Sequence, residues 1–207
     1  MNADQQRRAE THPGGGRAER ARKLIHIVAS ISAAVVALFA PAAAVAWLLL
    51  GAFLVAIAVE EARRHNEAAG RVFNRAFGGM LRPGEAQGIT GATTLAAGFT
   101  IAALILPQNF AAAGILAGGL GDAAAALIGR RWGRFRLRSG KSLAGALACF
   151  AAALPAAWII PGIDFPAAIT TAVAAAIFEI LPLPFDDNLW LPAATGVIAW
   201  ASAVPLI

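Results

Sequence analysis

Apolar residues run through this chain in long blocks rather than in short alternations. Seven blocks stand out, roughly Leu24 to Ala40, Ala42 to Val59, Ile89 to Leu106, Phe110 to Ile128, Ser142 to Ile160, Phe165 to Leu181 and Leu189 to Ile207. Each is near the ~17–25 residues that a helix needs to cross a bilayer, so the pattern predicts an all-α, polytopic membrane helix bundle of about seven transmembrane helices. Several blocks are short and rich in Ala and Gly, which leaves their ends loosely defined. Pro41, Pro107 and Pro161 fall at turns between paired blocks, where proline cannot extend the preceding helix.

The polar stretches divide the rest. Met1 to Gly16, with a Pro-Gly-Gly-Gly run, reads as a disordered N-terminal tail, and residues 17–207 as a single transmembrane catalytic domain. A cleaved leader is not expected, because a second apolar block follows the first at once. Glu61 to Gly88 is too polar to cross. Within it Val72, Phe73, Ala76, Phe77, Met80 and Leu81 recur at helical spacing, with Arg71, Arg75 and Arg82 off the stripe, which predicts an amphipathic helix lying on a membrane surface.

Composition agrees with a membrane protein: 58% of the 207 residues are hydrophobic and 14% charged, against roughly 25% charged in soluble domains. The net charge of +5 does not indicate nucleic acid, since no basic stripe is interleaved with stacking aromatics. Cys149 is the only cysteine, so an internal disulfide and a cysteine metal cluster are excluded. All 17 Lys and Arg lie in three segments, Arg7 to Lys23, Arg63 to Arg82 and Arg130 to Lys141. With the N-terminus inside and seven crossings, all three are cytoplasmic, as the positive-inside rule requires. Glu60, Glu85, Asp122, Glu179, Asp186 and Asp187 then collect at the same inner edge, and Asp164 lies outside.

The chemistry centres on Gly118 to Gly145. Asp122 sits within apolar sequence eight residues before Arg130, about 12 Å of helix rise inside the edge. An acid there has a high desolvation cost and is a functional candidate by default, although pairing with an arginine from another helix, only to hold the bundle together, would also explain it. Gly114 and Gly118 form a small-xxx-small pair suited to close helix contact. Gly129 to Ser142 reads as a short basic loop, and Lys141-Ser142 at a helix start suits phosphate. It is not a Walker loop, which would need glycine where Phe135 stands. Glu179, Pro182, Pro184, Asp186, Asp187 and Asn188 offer oxygen donors suited to magnesium, or alternatively a solvated turn with a helix cap. Lys23 and His26, at the start of the first helix, add a cation and a titratable base.

Taken together, Arg22-Lys23 with His26, Arg82 with Glu85 and Thr90-Gly91-Ala92, Gly121-Asp122 with Gly129 and Gly133, Lys141-Ser142 with Gly145, and Glu179 with Asp186-Asp187-Asn188 and Pro192 resemble the polyprenol kinase family. That family includes dolichol kinase, phytol kinase and a CTP-using diacylglycerol kinase, and the closing LPLPFDDNLWLP looks most like the phytol kinase branch. The resemblance covers nearly all the chain after the tail. It implies a multi-pass membrane enzyme that transfers the γ-phosphate of CTP to the hydroxyl of a long-chain isoprenoid alcohol at the cytoplasmic face of the cell membrane, with Mg2+. Implied catalytic residues are Asp122, His26 and Lys141. The nucleotide side would comprise Lys23, Arg82, Arg130, Arg131, Lys141, Ser142, Gly121 and Gly145, and the metal side Asp122, Glu179, Asp186, Asp187 and Asn188. Two positions depart from the family pattern: Ala144 stands where glutamate is usual, and Ser30 where glycine is common. A CTP-dependent diacylglycerol kinase remains an alternative. A phosphatidate cytidylyltransferase lacks support because no DRxD-type acidic signature is present, and a transporter or assembly protein because no internal repeat is evident.

Overall fold

The computed structural model describes residues 15–82, 84–137, 139–182 and 186–203. Most of the expected tail, Pro83 and Pro184 lie outside the described residues. Among the described residues the chain forms eight α-helices and no strand: α1 (Gly15–Phe39), α2 (Ala42–His65), α3 (Glu67–Phe77), α4 (Gly91–Ile105), α5 (Gln108–Trp132), α6 (Leu143–Trp158), α7 (Phe165–Ile180) and α8 (Asp187–Ala203). A 3-10 turn, Gly78–Met80, follows α3. Every expected apolar block is a helix, and α3 is the expected amphipathic one, with none of its residues buried.

The ends differ from the expectation in three places. α1 begins at Gly15, so the Arg17–Lys23 cluster is helical, as residues of high helix propensity allow. Arg22 pairs with Glu19 one turn earlier at 2.6 Å. α5 runs on through Arg130, Arg131 and Trp132, which puts both arginines in a last turn where the helix dipole favours cations. The basic loop is therefore shorter than expected and starts at Gly133. α8 starts at Asp187, placing that acid in the first turn, the favourable end for a negative charge.

The packing is that of a protein in lipid. Large apolar side chains such as Leu24, Phe39, Trp47, Val55 and Trp158 are exposed, while the core is built of alanines, including Ala37, Ala102, Ala112, Ala117, Ala157 and Ala172. Between helices in lipid the hydrophobic effect gives no drive, so small residues that admit close backbone contact carry the association. Gly114 shows this directly: a Cβ there would meet the Cα of Gly196 at 2.7 Å, so α5 and α8 touch backbone to backbone. Gly118 faces the same helix at Leu191 and Pro192. α5 is the hub, with 72% of its apolar span buried, whereas α2 is peripheral, with 6%.

By length and composition α1, α2 and α5 are long enough to cross a membrane. The helices α4, α6 and α7 have 15 or 16 residues, a rise of about 22–24 Å. Successive apolar helices alternate in direction. Gln108 bonds the carbonyls of Ala37 and Ala40, and Asn109 that of Pro161, tying the turns at one end. At the other end Arg130 meets Glu19 at 3.8 Å and Arg82 meets Asp186 at 3.7 Å, so the basic segments gather there with the acids.

Candidate functional site

The site forms where α1, α5, α7 and α8 meet the loop before α6. The buried stripe of α1, Lys23, His26, Ser30, Ala33, Ala34 and Ala37, follows the helical repeat and turns Lys23 and His26 toward α5. Ser30 donates to the carbonyl of His26 at 2.8 Å and fills the space a side chain on Gly119 would occupy. That close contact lets Lys23 form an ion pair with Asp122, both buried. His26 Nε2 lies 3.6 Å from the same carboxylate oxygen, is buried, and has no hydrogen-bond partner among the described residues. The alternative reading of Asp122 expects an arginine partner from another helix; the partner is instead Lys23 of α1.

A second lysine completes the group. The loop from Gly133 folds back on itself through an antiparallel bridge between Arg136 and Ser142, with Gly140 at φ +79° making the turn. A left-handed residue there is easiest for glycine. This projects Lys141 onto two carboxylates, 3.1 Å from Glu179 Oε1 and 2.7 Å from Asp187 Oδ2. Burial opposes the charge on Lys141, but Glu179 and then Asp187 outweigh it and raise its pKa above the ordinary lysine value. Oxygens of Asp122, Glu179 and Asp187 lie within 4.8 Å of one another. Glu179 is buried, and its Oε2 has no partner among the described residues. Three carboxylates and two lysines thus cluster together, Lys23, Asp122 and Glu179 buried and Lys141 and Asp187 partly exposed. Beside them opens a cavity of about 400 Å³ lined by Arg82, Ser139, Lys141, Pro182, Asp186 and Asp187.

Several residues expected in the site lie elsewhere. Arg130 pairs with Glu19, and Arg131 stacks over Trp132 at 5.1 Å. Ser142 caps α6, its buried hydroxyl accepting from Gly145 N at 3.0 Å, while Leu143 N donates to Phe135 O at 3.2 Å. That helix start therefore offers phosphate neither of these two amides. Gly121 and Gly145 serve packing: a Cβ on Gly121 would meet Cys149 Sγ at 2.8 Å, and one on Gly145 the Ala125 carbonyl at 3.0 Å. Asp186 accepts from Asn188 N at 2.9 Å and faces Arg82. Asn188 reaches the Gly91 carbonyl at 3.3 Å. Neither joins the three clustered carboxylates: Asp186, just before α8, faces Arg82 at the cavity rim, and Asn188, in the first turn of α8, reaches the start of α4.

Sequence reasoning gave Glu60 no role beyond its place at the edge. Buried at the end of α2, it accepts from Thr90 N at 2.8 Å, Thr90 Oγ1 at 2.6 Å, Thr93 Oγ1 at 3.0 Å and Arg63 Nε at 2.6 Å. Arg63 in turn donates to the carbonyls of Glu85, Ala86 and Gly88. Glu85 accepts from Arg82 N and Gly91 N, capping the start of α4. The one local signal for this network was the Glu60, Arg63 spacing of three, one helical turn.

No family model and no solved structure matches the chain. Among curated proteins it is similar to an uncharacterized protein of Rickettsia prowazekii, 28% identical over 84% of this chain and 89% of that protein. It is also similar to CTP-dependent diacylglycerol kinase 1 of Schizosaccharomyces pombe, 26% identical over 72% of this chain and 76% of that protein. The phytol kinase of Synechocystis sp. is 35% identical over 45% of each chain.

Proposed function

We propose that this protein is a membrane lipid kinase, transferring the γ-phosphate of CTP to the hydroxyl of a long-chain isoprenoid alcohol. The observation that carries the reading is the cluster of Asp122, Glu179 and Asp187 with Lys23 and Lys141, buried at Lys23, Asp122 and Glu179 and opening through Lys141 and Asp187 on a cavity at the charged end of the bundle. Similarity to two proteins named as lipid kinases supports it. In this reading seven helices cross the membrane with the N-terminus and the site on the cytoplasmic face.

Phosphoryl transfer requires alignment and charge neutralisation more than covalent help from the protein. The alcohol oxygen bonds to the γ-phosphorus, the bond from that phosphorus to the β-γ bridging oxygen breaks, and CDP leaves. His26 receives the alcohol proton at Nε2, and the Asp122 carboxylate, 3.6 Å away, balances the resulting charge. Lys141 and Arg82 neutralise the phosphates. The hard oxygen donors Asp122, Glu179 and Asp187, with Glu179 Oε2 unpaired, fit a divalent cation such as magnesium, which would supply charge neutralisation on the transferred group. The hydrocarbon tail stays in lipid between helices.

The test is incubation of purified protein in membranes with γ-labelled CTP or ATP against phytol, geranylgeraniol, a polyprenol and diacylglycerol. Label passes from CTP to an isoprenoid alcohol in this reading, and no labelled lipid from any pair overturns it. Diacylglycerol as the substrate is a second reading, favoured by the longer span of similarity to the diacylglycerol kinase, 72% of this chain against 45%. Labelled phosphatidate alone would select it.

A further inference from the structure

The end of α2 is charged, with Glu60, Glu61, Arg63, Arg64 and His65 in its last two turns. Asn66 breaks the helix in an extended conformation, and its side chain caps α3 by accepting from Ala69 N at 3.1 Å. The return is tight: a Cβ on Gly70 would lie 2.9 Å from the Arg63 carbonyl. α3 is thereby folded against the end of α2, and the elbow forms an open, shallow depression of about 350 Å³. Arg63, Arg64 and Arg71 line it against one carboxylate, Glu67, with His65 and Asn74 completing the wall.

The three arginines are not equivalent. Arg63 is buried and held by Glu60 and the carbonyls of residues 85, 86 and 88, so it closes the floor. Arg64 and Arg71 stand at the mouth. Arg64 lies 3.7 Å from Glu61 and 3.8 Å from Glu60, and Arg71 lies 3.3 Å from Glu67. The Arg64–Glu61 and Arg71–Glu67 pairs are exposed and weak, and the 3.8 Å approach of Arg64 to buried Glu60 is secondary to that of Arg63, so both guanidinium groups can turn to a better anion. The two helices also carry exposed apolar residues. Val72 and Phe77 of α3 are exposed, and the exposed Val55 and Val59 continue along α2.

We infer that this elbow is a binding site for the phosphate of an anionic membrane phospholipid, separate from the carboxylate group. Arg64 and Arg71 engage the phosphate, and the acyl chains lie along the exposed apolar faces of α2 and α3. A free phosphate ion would use only half of this surface. Guanidinium suits the site because it can present two parallel N–H donors to a phosphate.

Native mass spectrometry of the full chain, released from nanodiscs of phosphatidylcholine mixed with phosphatidylglycerol, tests the assignment. The wild-type protein retains phosphatidylglycerol in preference to phosphatidylcholine. Arg64→Glu with Arg71→Glu lowers that preference by about tenfold or more, given the free energy of each basic contact with anionic lipid. Arg64→Lys with Arg71→Lys keeps most of it, and Arg134→Glu, an exposed cation elsewhere, leaves it unchanged. Equal retention of both lipids by the wild type, an unchanged preference in the double charge reversal, or an equal loss in Arg134→Glu overturns the inference. So does stripping of the lipid by excess inorganic phosphate, which would mark a site for soluble anions. Retention is read without nucleotide or alcohol, so its failure leaves the kinase reading standing, and an inactive enzyme leaves this inference standing.

Discussion

Two buried glutamates lie at the same end of the bundle, and they are treated in opposite ways. Glu60 accepts hydrogen bonds from an amide, two hydroxyls and a guanidinium, so both its oxygens are satisfied. Glu179 has one lysine on Oε1 and no partner on Oε2 among the described residues, and His26 Nε2 beside Asp122 is equally unmatched. A buried polar atom without a partner costs free energy. The saturated glutamate holds the α2–α4 junction together, and in the proposed kinase site the unsaturated one would ligate the divalent cation.

Mutation separates the two. Asp122→Asn is expected to have the largest effect, a loss of about 1,000-fold in lipid phosphorylation per folded molecule, the scale of removing one preorganised charge from a reacting centre. Activity left intact in purified Asp122→Asn protein would detach the site from catalysis. Glu60→Gln acts on the other region: it leaves Arg63 without its charge partner and costs about 3 kcal/mol, as breaking a buried pair does. Thermal unfolding in detergent measures this, and activity per folded molecule stays near the wild-type value.

Between these regions lies the packing that brings them together. Gly114→Ala drives a methyl group into the α8 backbone and costs about 2 kcal/mol, the scale of overpacking a tight core. A melting temperature equal to the wild type would show that α5 and α8 are less closely packed than described. Asp186→Asn has the smallest effect: its pairing with Arg82 is long and partly exposed. Such a contact is worth about 1 kcal/mol or less, so phosphorylation falls by no more than about fivefold. A loss as large as that of Asp122→Asn would move Asp186 from the cavity rim into the reacting group.

The helices were legible because apolar blocks of this length have few other structures open to them. Their ends were not, since Arg17 to Lys23 and Arg130 to Trp132 mark a membrane edge by charge while remaining good helical sequence. Asp122 was recognisable as an acid within apolar sequence, and Glu179 and Asp187 as part of an acidic group at the edge, which a solvated turn with a helix cap would equally explain. What sequence could not supply was partnership. Lys23 and Asp122 are 99 residues apart, and Lys141 and Glu179 38. For the same reason Gly121, Gly145 and Ser142 resembled phosphate contacts, although α5–α6 contact and the α6 cap account for them. Glu60 escaped notice because its threonine partners lie 30 and 33 residues on, across α3 and a loop.

The most direct test transfers label from γ-labelled CTP to isoprenoid alcohol using Glu179→Gln and Glu60→Gln side by side, each normalised to folded protein. A kinase site built on the unsaturated carboxylates predicts labelled lipid phosphate from Glu60→Gln near the wild-type level, and a loss of about 100-fold or more from Glu179→Gln. Equal activity in the two variants, or no labelled lipid from the wild type, would contradict it.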